Sequence, residues 1–570
     1  MTHRPRRRLR RLRRRVARSL VALLAVAVLA PLAACSASDD GAGGAAGGSG
    51  TSGGSGTSGG AGTSGGAGTS GGAGKDDGKP RAGTLRILAS SELADMKPLL
   101  AEARKATGIT VRPTWTGTLD AVELLGSGKA DGAYDAVWLS SNDYLRLRPD
   151  AARRITSETP LMVSPVALGV RPATVKRLGW KPSDVTWSQV HRAVAEGRLT
   201  YGMTDPDRSN SGFSTLVSVA SGLSGAQSAL TDADVRGASG KLKEFFAGQR
   251  LTSGSSGWLA TAYARRGNVD ALINYESVLL SLNRDSHTGL TVIRPRDGVV
   301  TADYPLSALA AAAPEAKDSV RALTAYLRTP DVQRKLTRDT FRRPVVPSVR
   351  PAAPLAADAR RELPFPGSRS VADGLLHSYE NKLRRPSRTV YVLDTSGSMA
   401  GDRLTALKAA LTGLTGDFRE REEVTLLPFG SSVKQVRTHT VDPADPRRGL
   451  AAIKADTAAL TAGGETAVYS SLKSAYEQIG DGTESAFTSI VLMTDGENTT
   501  GDTAAGFSSY YRALPAERRV TPVFPIVFGD SDRGELDRIA ALTGGRLFDA
   551  TKEQGPGSLD GAFEEIRGYQ

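Results

Sequence analysis

From Thr84 onward, short apolar runs alternate with stretches whose apolar residues recur at helical spacing. Leu85–Leu88, Ala136–Leu139, Met162–Val170 and Val269–Ile273 have the pattern of strands, and Val320–Leu327 that of a helix. Residues 80–343 are therefore expected to form an α/β domain. Pro344, Pro347, Pro351, Pro354, Pro364 and Pro366 come next in close succession. Such a run admits neither helix nor central strand, and a semi-rigid connector is expected over 344–387. Beyond it the alternation is more regular. Val390–Leu393, Val424–Pro428, Ile490–Met493 and Val523–Phe528 are continuous apolar runs. Between them, Leu404, Leu407, Leu411 and Leu414, and then Val468, Leu472, Ala475, Tyr476 and Ile479, trace helical stripes. Strands without polar alternation must be covered on both faces, so residues 388–570 predict a doubly wound parallel sheet. Pro525 interrupts the last of these strands and predicts a bulge or an edge.

The first 79 residues belong to neither pattern. Residues 1–34 hold ten arginines and no acid, which accounts for ten of the chain's thirteen net positive charges. The basic balance is thus local, and nucleic acid is not an expected partner. The apolar run Leu20–Ala30 is too short to span a bilayer and fits the core of an export signal. Leu32-Ala33-Ala34-Cys35 resembles the lipobox of bacterial lipoproteins. That resemblance implies cleavage after residue 34 and lipidation of Cys35, the sole cysteine of the chain, which can form no internal disulfide. Residues 51–74 read TSGGSG once and TSGGAG three times. Segment 35–79 is therefore expected to be a lipidated, flexible tether with a reach of roughly 35–40 Å. The expected location is the extracellular face of the cytoplasmic membrane, with the lipid as the only membrane contact.

The chemistry lies where the apolar runs of 388–570 end. In a parallel doubly wound sheet, ligands bind beyond the carboxyl ends of the strands. The first run ends in Asp394-Thr395-Ser396-Gly397-Ser398 and the third in Thr494-Asp495-Gly496, while Thr466 stands at the start of a helix between them. Convergence of these loops would assemble two carboxylates and three hydroxyls. A donor set made only of hard oxygen selects Mg²⁺, Ca²⁺ or Mn²⁺ over zinc or copper. Each piece alone has a bland explanation as a helix cap or a turn. Together and in this order they resemble the von Willebrand factor type A (VWA) domain and its metal-ion-dependent adhesion site. The resemblance implies a Rossmann-like fold and assigns Asp394, Ser396, Ser398, Thr466 and Asp495 to the metal, with one position left open for a carboxylate from a protein partner. Neutral hydroxyls leave such an ion under-neutralised, which favours that acidic group.

In 80–343, hydroxyls cluster at strand ends and helix starts: Ser90 and Ser91, Ser140 and Ser141, then Ser209, Asn210, Ser211 and Gly212. Tyr275 and Glu276 come after another strand. Helix N-termini carrying hydroxyls suit an oxyanion or another small polar solute, although each such residue could equally be a cap. This ensemble is similar to the extracellular solute-binding proteins of ABC importers, two-lobed α/β domains that close on a ligand. Ser90, Ser91, Ser140, Ser141, Ser209, Ser211, Tyr275 and Glu276 are the expected solute-site residues; Ser209-Asn210-Ser211-Gly212 looks most like the family's ligand-binding helix start, and Arg208 either favours an anion or is a surface arginine. His191, His287, His377 and His439 show no metalloprotease spacing, and no nucleophile elbow or phosphate loop is present, so an enzyme is not expected. The reading is a lipid-anchored surface adhesion or binding protein. Its alternative is the substrate-binding component or accessory receptor of an ABC-type importer, and a weaker one is a surface hydrolase.

Overall fold

The computed structural model describes residues 83–355, 361–415, 418, 421–480, 486–527, 529, 531–551 and 559–569. The expected leader, Cys35 and the repeat lie outside the described residues. Among the described residues, no helix is long and apolar enough to cross a membrane.

Both α/β expectations hold. The first domain has two sheets. One orders the strands Thr110–Thr116, Thr84–Ser90, Ala136–Trp138, Pro305–Ala308 and Thr159–Pro160. The other orders Thr301–Ala302, Met162–Val170, Ala271–Tyr275, Tyr201–Gly202 and Gln249–Leu251. The chain passes between the two sheets at Leu161 and at Asp303-Tyr304, and returns to the second sheet where Arg343–Pro344 pairs antiparallel with Met162-Val163. Tyr304 holds a left-handed φ of 46° at this crossing. Its carbonyl accepts from Trp138 Nε1 (3.1 Å) and its N–H donates to the Ser140 carbonyl (2.9 Å), so the first lobe fixes the strained residue.

Burial pushes the neighbouring Asp303 carboxyl up to about 6, and Asp143 adds to the shift. The folded state therefore favours protonated Asp303, and its stability falls as pH rises from the unfolded value towards 6. Asp303→Asn should raise stability by about 1–3 kcal/mol at pH 8 and leave it unchanged near pH 4, as read by urea unfolding at the two pH values.

The connector departs from expectation. Residues 344–366 contain no helix among those described, but Arg369–Ser378 is helical, and Leu363, Val371, Ala372, Leu375, Leu376, Tyr379 and Leu383 are buried in the core of the first domain. Tyr379 donates to Gln249 Oε1 (2.9 Å) and its ring meets Phe246 edge-on at 5.1 Å. The prolines stop helix only as far as Pro366; beyond them the apolar spacing of a helix resumes and finds a surface to cover. The second half of the expected connector is thus part of the first domain's second lobe.

The second domain is a six-stranded sheet in the order Arg437–Thr440, Glu423–Phe429, Ser387–Asp394, Phe487–Thr494, Val523–Val527 and Phe548–Asp549. All pairs are parallel except that of the first edge strand. Alternate residues of the central strand enter opposite cores. Tyr391 and Leu393 pack with Leu404, Leu407, Leu411 and Phe563, whereas Val390 and Val392 pack with Val468, Leu472, Tyr476 and Phe507. At Pro525 the register runs without a bulge (Leu492↔Pro525, Met493↔Ile526). The outer neighbour pairs only with Ile526 and Val527, so at Pro525 the strand has a partner on one side alone, and its missing N–H is tolerated there.

From Asp77 on the two domains form one unit. The helix Ser256–Arg266 of the second lobe makes much of the junction. Arg266 donates through Nε and Nη2 to the Gly544 carbonyl (2.9 and 2.6 Å). The Arg546 guanidinium lies 3.8 Å from the centre of the Trp258 ring.

Candidate functional site

The chain leaves the central strand Ser387–Asp394 toward Glu423–Phe429 on one side and later enters Phe487–Thr494 on the other. This reversal opens a crevice at the carboxyl ends of the two middle strands, the place where such sheets bind ligands. Asp394 closes the first strand and Asp495 comes directly after the second, so a sequence separation of about a hundred residues becomes direct contact. Ser398 Oγ donates to Asp495 Oδ1 (2.8 Å) and lies 3.0 Å from Ser396 Oγ. Asp394 Oδ1 accepts from the Ser396 N–H (2.8 Å), and Oδ2 accepts from Thr494 Oγ1 (2.6 Å). Thr466 Oγ1 and Ser398 Oγ approach Gly496 together: a Cβ built there would lie 3.9 and 4.0 Å from them. All five predicted residues therefore come to one place. Asp394, Ser396, Thr466 and Asp495 are buried, while Ser398 stays exposed and leaves the centre open on one side.

Burial holds the Asp394 carboxyl above its usual value, the hydrogen bonds from Thr494 and Ser396 oppose this, and Asp495 adds like-charge repulsion. Two carboxylates crowded against hydroxyls form an oxygen-only donor set that fits a hard divalent cation. No cluster of three or more His, Cys, Asp or Glu side chains occurs among the described residues, so the hydroxyls are essential to any cation site here. Two residues that the motif did not announce also meet the centre. Arg403 Nη1 donates to Asp495 Oδ2 (2.5 Å), and Lys434 Nζ donates to the Thr395 and Thr461 carbonyls (2.9 and 3.0 Å). Their positions become legible only once the loops are folded together.

In the first domain the structure gathers most, but not all, of the expected residues. Ser140 is central. Its N–H donates to Ser90 Oγ (3.0 Å), and its hydroxyl donates to Glu92 Oε1 (2.7 Å) and lies 3.1 Å from Thr118 Oγ1. Tyr275 joins from the second lobe, where Asn210 Nδ2 donates to its hydroxyl (3.0 Å). Ser211 Oγ lies 2.8 Å from Thr204 Oγ1, 3.2 Å from Ser209 Oγ and 2.7 Å from Ser256 Oγ. The helical segments beginning after Ser90, Gly117 and Ser209 have no side-chain cap, which leaves backbone N–H groups for a polar solute. The lobes touch here. Gly117 lies so close to Arg208 that a Cβ would collide with the Arg208 carbonyl, and Arg208 Nη1 is 3.8 Å from Asp120 Oδ1.

Three expected positions do not join these clusters. Ser141 Oγ donates to Asp143 Oδ2 (2.8 Å) and accepts from the Asp143 N–H (3.0 Å), which is the local capping alternative. Ser91 is half-buried and opens a short 3₁₀ turn. Glu276 is held by arginines: Arg343 Nε and Nη2 (2.9 and 3.0 Å) and Arg294 Nη1 (2.9 Å). Its carboxylate neutralises this buried cluster instead of facing a solute. Glu276→Ala would remove the carboxylate that buried Arg343 and half-buried Arg294 share and should cost about 3–5 kcal/mol, measured as a lower urea midpoint at unchanged m-value. Glu92, Thr118 and Ser256 were not anticipated. Thr118 and Ser256 share the signal of the others, a small polar residue opening a helix; Glu92 has none.

Two α/β domains in series, each with polar residues gathered at strand ends, define the class. Residues 85–342 match the family model described as bacterial extracellular solute-binding protein, and residues 389–497 match that of the von Willebrand factor type A domain. The chain thus carries a solute-binding-like domain followed by a VWA domain. Both are typically non-catalytic, and VWA domains often bind a divalent cation. Solved structures similar to the first domain include the periplasmic binding protein AfuA of Actinobacillus pleuropneumoniae with fructose-6-phosphate bound (12% identity, TM-score 0.44, 53% of this chain and 98% of that one). The sulfate-binding protein SubI of Mycobacterium tuberculosis is another (17%, 0.39, 51% and 96%). A von Willebrand factor type A protein of Catenulispora acidiphila is similar to the second domain (20%, 0.27, 32% and 42%). Among curated proteins, the uncharacterized Synechocystis protein sll0103 is 32% identical over 165 residues, 29% of this chain and 37% of that one. The magnesium-chelatase 67 kDa subunit of Chlorobaculum tepidum is 26% identical over 227 residues, 36% of each. The chain spans little more than a third of the length of these curated relatives.

Proposed function

We propose that this protein is a lipid-anchored surface binding protein whose VWA domain holds a divalent cation, Mg²⁺ first, and recruits a carboxylate on a protein partner. The observation that carries the reading is the convergence of Asp394, Ser396, Ser398, Thr466 and Asp495 on one partly open point. When bound, the cation supplies a Lewis-acidic contact for the partner's acidic group. The protein's own residues do the rest: the aspartates provide charge, the hydroxyls complete the oxygen set, and exposed Ser398 marks the side of approach. Cys35 carries the lipid and segment 35–79 lifts the binding domains from the outer face of the cytoplasmic membrane. Calorimetric titration of the purified protein with Mg²⁺, then Ca²⁺ and Mn²⁺, with acetate present as a carboxylate, should give saturable binding; heats equal to buffer dilution under these conditions would overturn the reading.

A second reading is favoured by the cleft. The uncapped helix starts and the two hydroxyl clusters, Ser90 with Thr118 and Ser140 in one lobe and Ser211 with Ser209 and Ser256 in the other, suit a small polar or anionic solute, as in the substrate-binding component or accessory receptor of an importer. Solute uptake lost with the chain, and unaffected by substitutions at the metal centre, would favour this reading over adhesion.

A further inference from the structure

The cation reading leaves Arg403 unexplained. A residue whose task is to help a dication bind should not be a cation, yet Arg403 Nη1 lies 2.5 Å from Asp495 Oδ2. Asp495 is fully buried, so its charge is poorly screened by water, whereas the arginine side chain is 36% exposed and can turn toward solvent. Gly529 admits the contact: a Cβ there would lie 3.2 Å from Asp495 Cβ and 3.3 Å from Arg403 Cζ, in a backbone conformation (φ 61°) that also favours glycine. On the other side of the centre, the Thr395 carbonyl, one residue beyond Asp394, accepts from Lys434 Nζ at 2.9 Å. Partial burial lowers the pKa of this lysine, and the charge of Asp394 opposes that shift, so the two groups sense one another. The centre therefore holds two carboxylates, one of them paired with Arg403, and a second cationic side chain, Lys434, on the backbone beside the other. Glu465 and Glu497 lie nearby in sequence but are exposed, where water and salt screen them.

We propose that Arg403, assisted by Lys434, is a counter-charge that sets the specificity of the metal centre, making a dication bind weakly alone and firmly only with an anionic group. The inference rests on the cation reading above. With Asp495 already paired and Lys434 held beside Asp394, an added dication brings positive charge that the protein only partly neutralises. A carboxylate from outside offsets it, so cation and carboxylate bind cooperatively, each raising the affinity of the other by the same factor. Arg403 would thus keep the domain from committing to cation without a partner. It is a positioning and charge-setting residue, not a ligand.

The test is a Mn²⁺ titration of the purified protein by calorimetry, in chloride buffer and again with acetate as the carboxylate probe. Wild type, Arg403→Gln, Arg403→Lys and Asp394→Ala are compared, with thermal unfolding to establish that each is folded. Arg403→Gln is expected to bind Mn²⁺ about tenfold or more tightly in chloride, since one opposing unit charge is gone. Arg403→Lys should stay near wild type, and acetate should tighten wild type more than Arg403→Gln. Equal or weaker Mn²⁺ binding by Arg403→Gln, with binding still lost in Asp394→Ala, would overturn the counter-charge role while leaving the metal centre intact. No saturable Mn²⁺ binding by any folded variant would overturn the cation reading and this inference with it.

Discussion

Asp394→Ala is expected to abolish saturable cation binding, lowering affinity by at least about a hundredfold, while leaving any solute binding in the first domain intact. Loss of groups that merely orient metal ligands already costs about ten- to a hundredfold, so removing a charged ligand should cost more. Asp394 combines three roles here. It contributes one of the two buried carboxylates, its Oδ1 fixes the turn through the Ser396 N–H, and its Oδ2 ties that turn to Thr494 at the end of the adjacent strand. Alanine removes the charge and loosens both loops. Its effect on stability should be small, because relief of a buried like-charge pair offsets the two lost hydrogen bonds. The measurement is calorimetry with Mg²⁺ on wild type and variant, beside urea unfolding of both. Undiminished binding in a folded Asp394→Ala protein would remove the centre from the proposal. Loss of solute binding as well would contradict the independence of the two sites.

Gly117→Ala should hold the solute-binding lobes apart. Gly117 has φ −71° and ψ 151°, which alanine adopts without strain, so the substitution asks nothing new of its own lobe's backbone. The obstacle lies opposite. A methyl group there would collide with the Arg208 carbonyl of the second lobe, and backbone cannot yield as a flexible side chain can. The contact also brings the uncapped helix starts at Gly117 and Ser209 together, so a block at this point should weaken any solute held between them by about tenfold or more. Small-angle scattering is the direct check: Gly117→Ala should show a larger radius of gyration than wild type, with unchanged cooperativity of unfolding. Identical scattering profiles would mean that this approach does not limit closure.

The metal motif was legible along the chain because two of its pieces sit at the ends of continuous apolar runs and the third, Thr466, just before a helix between them, and the sheet topology leaves the strand ends only one side on which to meet. The cleft was less legible. Serines open helices for two reasons, and only packing separated Ser140, which bonds into the shared cluster, from Ser141, which bonds to its own helix start. Glu276 stands after a strand like a ligand residue, but it is held by Arg294 and Arg343, distant enough that no local pattern pairs them with it. The prolines of 344–366 correctly forbade helix where they stand and misled about the residues beyond Pro366, since burial of Val371, Leu375 and Tyr379 depends on a surface presented by the second lobe.

By itself, then, the sequence determined the two α/β domains, the doubly covered sheet and the oxygen set at its strand ends. These arise from local periodicity and from the rule that a buried strand must deliver its polar residues beyond its end. Only the tertiary structure decided what those residues touch. The pairing of Arg403 with Asp495, the meeting of Gly117 with Arg208 across the lobes, and the seating of the helix Ser256–Arg266 against Gly544 and Arg546 all join segments far apart in the chain. Such contacts are set by how whole elements pack, and no spacing within a single element encodes them.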